Sequence, residues 1–333
     1  MKNFKNSLLF NVSYFFLWIG YFIFARFFFL LFYFEKTKEL EFITILKTFL
    51  YGIQLDTSFS AYLCIIPFLL IIFSTFINTA IIAKIIKWYS YLLLIFITLL
   101  LIIDASLYEA WGVRLDTTVL AYIDTPEVMI ASVSTYQMIS GILFWFITSY
   151  IFIVIFKNII NKNSKKISIK NWLQIPLLLL LTGALIIPIR GGLQEIPVNQ
   201  SNVYFSSKMF ANHAAVNFIW NFSNTITHKT GNKNIYKFFD SETTKNIIHK
   251  TRDKLLLSTS DTILNTKKPN VILIIWESLT AKVVGSLNGE PNVTVNLNRL
   301  SKEGILFTNF YGNGDRTDKG IPAILSGYYP PPV

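Results

Sequence analysis

The chain has 333 residues, 53% of them hydrophobic and 16% aromatic, with only 15% charged. A soluble globular protein carries about 25% charged residues, so this composition excludes both a chain that is soluble throughout and a disordered one. The formal net charge of +11 comes from 30 Lys and Arg against 19 Asp and Glu. Its placement must decide between a nucleic-acid partner and the loops of a membrane protein.

Five stretches are free of charge and rich in Leu, Ile and Phe: residues 6–25 (continuing past Arg26 through 27–34), 57–83, 88–103, 128–156 and 171–189. A helix needs roughly 20 apolar residues to cross the hydrocarbon core, so these predict five transmembrane helices. The first is too long for a cleaved signal peptide and lacks a small-residue cleavage site. Lys and Arg in the connections set the orientation. Lys2, Lys5, Lys84, Lys87, Lys157, Lys162, Lys165, Lys166 and Lys170 make nine on one side, against Lys36, Lys38, Lys47 and Arg114 on the other. The predicted topology has a cytoplasmic N-terminus and places everything after residue 189 outside. Topology thus accounts for much of the basic excess, and no nucleic-acid partner is expected. Three charges fall near predicted helix ends. Arg26 is read as snorkelling to the interface or touching a headgroup or the outer domain, and Asp56 and Asp104 as boundary charges. The single cysteine, Cys64, lies in an apolar run, which excludes a disulfide framework and a Cys-based zinc cluster.

Residues 190–268 form a junction. Arg190-Gly191-Gly192 suits a turn out of the membrane. Aromatic residues interleaved with amides (Tyr204, Phe205, Phe210, Phe218, Trp220, Phe222) predict short interfacial helices or a surface-hugging segment. His213, His228 and His249 lack the spacing of a zinc helix. Residues 241–268 read as a solvated helix followed by a linker.

After Pro269 the run Val271-Ile272-Leu273-Ile274-Ile275-Trp276 predicts a central parallel strand buried on both faces, ending at Glu277. A carboxylate at the end of such a strand is well placed to hold a metal ion. Residues 279–287 and 297–303 predict helices, and 305–310 a second strand. A Gly-rich loop, Tyr311-Gly312-Asn313-Gly314-Asp315-Arg316-Thr317-Asp318-Lys319-Gly320, then leads into a helix over 321–325. A hydroxyl near a helix N-terminus favours a phosphate or sulfate.

Several segments together resemble the lipoteichoic acid synthase family and its phosphoglycerol transferase relatives, within the alkaline phosphatase/sulfatase superfamily. They are Pro269-Asn270-Val271, Trp276-Glu277-Ser278, the run from Gly304 to Tyr311, Gly314-Asp315-Arg316-Thr317-Asp318-Lys319-Gly320 and Leu325-Ser326-Gly327. Arg190-Gly191-Gly192, Pro197 and Asn199-Gln200-Ser201 resemble the juxtamembrane segment of bacterial members. The resemblance implies a bacterial cytoplasmic (inner) membrane protein. Residues 1–189 would be a five-helix all-α membrane domain, 190–268 a juxtamembrane segment, and 269–333 the N-terminal portion of an extracytoplasmic α/β sulfatase-like domain.

It implies Thr317 as nucleophile and Glu277 with Thr317 as ligands of a divalent cation; oxygen ligands themselves suit Mn2+ or Mg2+ rather than Zn2+. Read from the residues themselves, Arg316 and Lys319 either attract the anionic substrate or serve the loop structurally, and Asp315 and Asp318 read as loop caps rather than ligands. The donor would be a membrane phospholipid and the acceptor an extracytoplasmic glycan or lipid. Phosphoethanolamine transfer and sulfatase-like hydrolysis are alternatives, although the sulfatase Cys/Ser-x-Pro-x-Arg pattern is absent. A non-catalytic lipid-binding or scaffold relative is another. The family's Asp-His pair has no counterpart before Val333, so residues 1–333 are expected to be inactive on their own.

Overall fold

The computed structural model describes residues 2–121, 135–164, 174–227, 239–256, 266, 268–277, 279–314 and 317–327. The chain divides into two compact units, 1–236 and 237–333.

The first unit is helical. Helix α1 (Lys2–Phe32) is followed by a short α2 (Phe34–Lys38) and then by α3 (Phe42–Phe73) and α4 (Thr79–Trp111). A single turn, α5 (Thr118–Ala121), precedes α6 (Thr135–Ser164). Four helices, within α1, α3, α4 and α6, are long and apolar enough to cross a membrane. The fifth predicted span is the exception. Among the described residues it comprises α7 (Ile175–Gly183) and α8 (Ile186–Arg190), which together form an apolar helix shorter than the other four. Gly183 ends α7 and Pro188 lies within α8, and both residue types interrupt a helix.

The span boundaries also differ from the charge-free windows. Residues 57–83 contain a turn. Ser74 and Thr75 return their hydroxyls to Ile71 O and Ile72 O at 2.6 and 2.9 Å, closing α3. Asn78 opens α4 by accepting from the Ala80 amide at 2.9 Å. Capping chemistry, rather than absence of charge, sets these ends, so Lys84 and Lys87 lie inside α4.

Polar pairs and aromatic packing set the register of the bundle. Tyr14 and Ser90 share a hydrogen bond of 2.9 Å, as do Tyr21 and Thr98, so α1 and α4 run parallel. Phe156 packs edge-on against Tyr14 and Trp18, while Phe144 stacks on Phe28 with ring centroids 4.3 Å apart. Helix α6 therefore runs antiparallel to α1. Helix α8 ends where α1 ends: Ser58 on α3, two residues from the Arg26 partner Asp56, donates to Ile189 O at 2.8 Å.

At that end the chain buries its charges in pairs. Arg26 makes a bidentate pair with Asp56, Nη1 to Oδ2 at 2.6 Å and Nη2 to Oδ1 at 2.9 Å. Both side chains are almost wholly buried. Arg114 pairs with Asp104, Nε to Oδ1 at 3.1 Å. A second contact, Nη2 to Oδ2 at 2.8 Å, lies outside hydrogen-bonding direction and is purely ionic. The Arg114 guanidinium also sits 3.9 Å from the Phe29 ring centroid. Arg26 is therefore neither a snorkelling residue nor a headgroup contact, and Asp56 and Asp104 are not boundary charges. A buried ion needs a partner, and each of these has one.

Within the first unit the short helices expected of the junction form, and residues 211–222 are packed into the bundle. Gly191, at φ +76°, caps α8, with its amide on Pro188 O at 3.0 Å. Helices α9 (Met209–Ala215) and α10 (Phe218–Thr227) follow, and every residue from 211 to 222 is buried. Arg26 Nε and Nη2 donate to Ala214 O and Ala215 O at 3.0 and 3.1 Å. Asn217 Nδ2 donates to Asp56 at 2.8 Å, and Trp220 Nε1 to Ser58 Oγ at 3.2 Å. The aromatic stripe thus serves packing.

The second unit is loosely built among its described residues. Asp240 caps α11 (Ser241–Leu256) by accepting from the amides of Glu242 and Thr243, both at 2.9 Å. These bonds, with the Thr243 amide foremost, hold its carboxyl below the usual range. The predicted strands over 271–276 and 305–310 are not formed. A strand exists only where a neighbour takes its backbone groups, and among the described residues none does. Val271 and Ile274 are 79% and 82% exposed. The predicted helix over 279–287 is instead two 3-10 turns, Ala281–Val283 and Gly285–Leu287, because Val283, Val284 and Gly285 disfavour a continuous α-helix. Helix α12 (Val295–Glu303) begins two residues before its predicted start, and α13 (Thr317–Ser326) four residues before.

Two predictions follow from the junction. Arg26→Met leaves Asp56 buried without its partner and should cost about 3–5 kcal/mol of stability. Arg26→Met with Asp56→Leu should recover part of that loss yet leave α9 more open to protease, since Ala214 O and Ala215 O lose their donor. Thermal unfolding and limited proteolysis in detergent check both. His213 accepts from or donates to Tyr108 Oη at 2.9 Å, and its carbonyl accepts from Arg114 Nη1 at 3.0 Å. Burial, aided by the charge of Arg114, pushes its pKa down from 6.5 to about 4. In that window the unfolded chain binds a proton that the folded chain refuses, so stability present above pH 6.5 falls as pH drops towards about 4. His213→Gln should flatten the slope of melting temperature against pH over that range.

Candidate active site

The site is built by two backbone features that lie 40 residues apart in sequence. The first is the extended apolar run 271–276, which delivers Glu277 at its end. The second is the N-terminus of α13. Because this helix starts at Thr317 and not at Ile321, the threonine occupies its first turn, where backbone amides lack intrahelical partners. Thr317 Oγ1 donates to Glu277 Oε1 at 3.0 Å. Both side chains are exposed, so a substrate can reach them.

Glycine makes the approach to the helix possible. A Cβ on Gly314 would lie 2.5 Å from Gly320 N, 2.8 Å from Gly320 Cα and 2.9 Å from the Lys319 carbonyl carbon. The loop backbone therefore lies directly on the first turn of α13. At the other end Gly327, at φ +71°, closes the helix with its amide on Ala323 O at 2.9 Å. Ala323 is the buried residue of α13 among the described residues.

Of the residues singled out from sequence, the structure brings Glu277 and Thr317 together. Lys319 lies two residues further into α13. Arg316 and Asp315 fall outside the described residues, as does the side chain of Asp318. Sequence reasoning did not identify the contact between Gly314 and Gly320, although their spacing around Thr317 was the available signal.

The donor chemistry suits a hard divalent cation. A carboxylate and a hydroxyl are oxygen ligands of the kind Mg2+ and Mn2+ take, whereas Zn2+ favours nitrogen and sulfur. Among the described residues no group of three or more His, Cys, Asp or Glu gathers around a common point. The pair supplies two donors, and the rest of an octahedral set would come from water or substrate oxygen. The α13 N-terminus adds a positive field at the hydroxyl, which favours an anion there.

Residues 269–332 match the family model described as Sulfatase, of the alkaline phosphatase/sulfatase superfamily. The match covers both Glu277 and Thr317 and none of the first unit. No solved structure matches the chain.

Gly314→Ala forces the loop off α13 and should displace Thr317 from Glu277. A misplacement of about 1 Å at a reacting atom costs on the order of a hundredfold in rate. Any turnover that depends on the Thr317–Glu277 contact should fall by that order while the melting temperature changes little, since residues 311–313 before Gly314 are exposed.

Proposed function

We propose that the intact protein is a membrane-bound transferase. It would move a phosphoglycerol-type group from a membrane phospholipid to an extracytoplasmic glycan or lipid acceptor, with Thr317 as nucleophile. The observation that carries this reading is the Thr317–Glu277 hydrogen bond at 3.0 Å, inside a segment that matches the Sulfatase family model. The four long apolar helices in the same chain support a donor drawn from the bilayer. The motif residues shared with the lipoteichoic acid synthase family support a phosphodiester over a sulfate ester, as does the absence of Cys/Ser-x-Pro-x-Arg at Thr317.

The chemistry proceeds in two displacements. Thr317 Oγ1 attacks the donor phosphorus. The Oγ1–P bond forms, the bond from phosphorus to the diacylglycerol oxygen breaks, and the hydroxyl proton ends on that oxygen. An acceptor hydroxyl then attacks the phospho-threonine, its proton returns to Thr317, and the side chain is regenerated. Glu277 receives the hydroxyl hydrogen bond and so orients Oγ1 before attack. The amides at the start of α13 face the phosphoryl oxygens. Arg316 and Lys319 bring further positive charge to the same loop. Glu277 and Thr317 are the residues that would hold a divalent cation, which when bound lowers the pKa of the hydroxyl and neutralises phosphoryl charge.

The topology supports an external site. Helices α1, α3, α4 and α6 alternate in direction, and α8 returns the chain to the end where α1 finishes. With the N-terminus cytoplasmic by the positive-inside rule, residues after 190 emerge outside.

Thr317→Ala in the intact protein should abolish transfer from a fluorescent phosphatidylglycerol, a loss of roughly three orders of magnitude or more. Mass spectrometry of the wild type, quenched during turnover, should show a phosphoglycerol adduct on the peptide containing Thr317. Transfer retained by Thr317→Ala would remove the threonine from the mechanism.

A further inference from the structure

Helix α11 (Ser241–Leu256) carries an ordered arrangement of charge about an apolar stripe. At about 100° per residue, positions 244, 247, 248, 251 and 255 fall on one face, and they hold Thr, Ile, Ile, Thr and Leu. Ile247 and Ile248 are 46% and 45% exposed. Lys245 and Arg252 fall about 80–100° to one side of that stripe, and Lys254 and Lys250 about 80–120° to the other. Glu242 and Asp253 fall about 160–180° away, on the opposite face. Cations thus border the stripe on both sides and acids stand furthest from it. The surrounding segment is basic too. Residues 228–268 hold nine Lys and Arg against four Asp and Glu. By the predicted topology this excess lies on the side that the positive-inside rule leaves poor in cations, so topology does not account for it.

The pattern suits a plane of anions. On a leaflet the apolar stripe enters the acyl boundary, while Lys and Arg at its borders extend to the lipid phosphates and acids on the far face stay in water. A protein groove would instead have to supply a partner for a cation at every border position it covered. The chain just before the helix continues the theme. Lys237-Phe238-Phe239 sets a cation beside two aromatic residues ahead of the cap Asp240, and Phe239 is 57% exposed. Two isoleucines and one leucine are too little apolar surface to hold a free helix on a bilayer. Tethering removes that objection. Helices α1, α3, α4 and α6 are long and apolar enough to cross a membrane. The 13 residues 228–240 separate α10 from α11. A segment of that length extends at most about 45 Å, so a bilayer holding those helices is met as an intramolecular partner at high effective concentration.

We infer that α11 binds in the plane of an anionic phospholipid leaflet, with Ile247 and Ile248 turned towards the acyl chains and the bordering Lys and Arg on the phosphates. The inference concerns this helix alone and stands whether or not Thr317 transfers a phosphoryl group.

The test uses the full chain with the buried Cys64 replaced (Cys64→Ser) and one spin label, at Ile248→Cys on the stripe or at Asn246→Cys on the opposite face. Both positions are exposed, so neither label disturbs packing. In vesicles of phosphatidylcholine with phosphatidylglycerol, the label at 248 should lose access to an aqueous nickel chelate and gain collisions with dissolved oxygen, while the label at 246 stays open to the chelate. Vesicles of phosphatidylcholine alone, or high salt, should release 248 to the chelate. Lys245→Gln with Arg252→Gln should lower the ratio of shielded to exposed label at 248 about thirtyfold. Circular dichroism and size-exclusion profiles confirm that the variants keep their helices. Equal chelate access at 248 and 246 in the anionic vesicles would overturn the inference. So would shielding of 248 that survives unchanged in phosphatidylcholine alone, in the double variant, or in a non-ionic amphipol, the last by showing that protein covers the stripe. None of those outcomes bears on transfer by Thr317.

Discussion

A single guanidinium organises the first, helical unit. Arg26 places four N–H···O bonds from a site only 3% exposed: two on Asp56, one on Ala214 O and one on Ala215 O. An arginine is always charged, so burying it without this coordination would be prohibitive. The arrangement therefore dictates much around it. Asp56 must face it from α3, and Asn217 must satisfy the remaining lone pair on Asp56 Oδ1. Position 52 must be glycine, because a Cβ there would fall 2.3 Å from Arg26 Nη2 and 2.6 Å from Ala215 O. The junction helix α9 then has one place to go. Asp104 and Arg114 repeat the device on the neighbouring helix, fixing Leu115 N at 2.7 Å and the His213 carbonyl at 3.0 Å. Removing a charge here would remove a hinge between helices, not a surface ornament.

What could be read from the sequence follows from which interactions are local. Hydrophobic run length located four apolar helices because a bilayer-spanning segment announces itself residue by residue. Their ends were less legible. The turn at 74–78 is made by hydroxyl and amide capping groups, which carry no hydropathy signal. The burial of Arg26 with Asp56, 30 residues apart, is a tertiary fact. Taken one at a time, each charge reads as a boundary residue, since pairing across helices has no period along the chain. In the junction the expected short helices form, but their burial was not legible, for a related reason. Aromatics mixed with amides look interfacial by composition, yet the amides of Asn212, Asn217 and Asn221 are inward-facing hydrogen-bonding groups.

In the second unit the pattern inverts. The regular element with the clearest sequence signature, the aliphatic run 271–276, is the one that does not form as a strand. A sheet is a non-local object, and apolar periodicity shows only that a segment suits one. The contact between the two residues singled out from sequence does not need that strand. Glu277 and Thr317 meet at 3.0 Å although no strand lies between them and a sheet, because their contact depends on loop and helix geometry: Gly314 backing onto Gly320, and α13 starting at the threonine. The motif residues encode that local geometry directly. Glycine permits the close approach, and the hydroxyl takes the first helical position.

The two buried arginines are structural rather than receptive. Arg26 and Arg114 are each neutralised by an aspartate inside the helices, and their remaining N–H groups go to carbonyls of α9. Their charge therefore fixes where α3, α4 and α9 meet. In the second unit the balance differs. Arg316 and Lys319 flank Thr317 in sequence, and the hydroxyl stands in the first turn of α13, where free backbone amides add a positive field. A charge paired inside a bundle holds helices together, whereas a charge beside an exposed hydroxyl is placed to meet an anion.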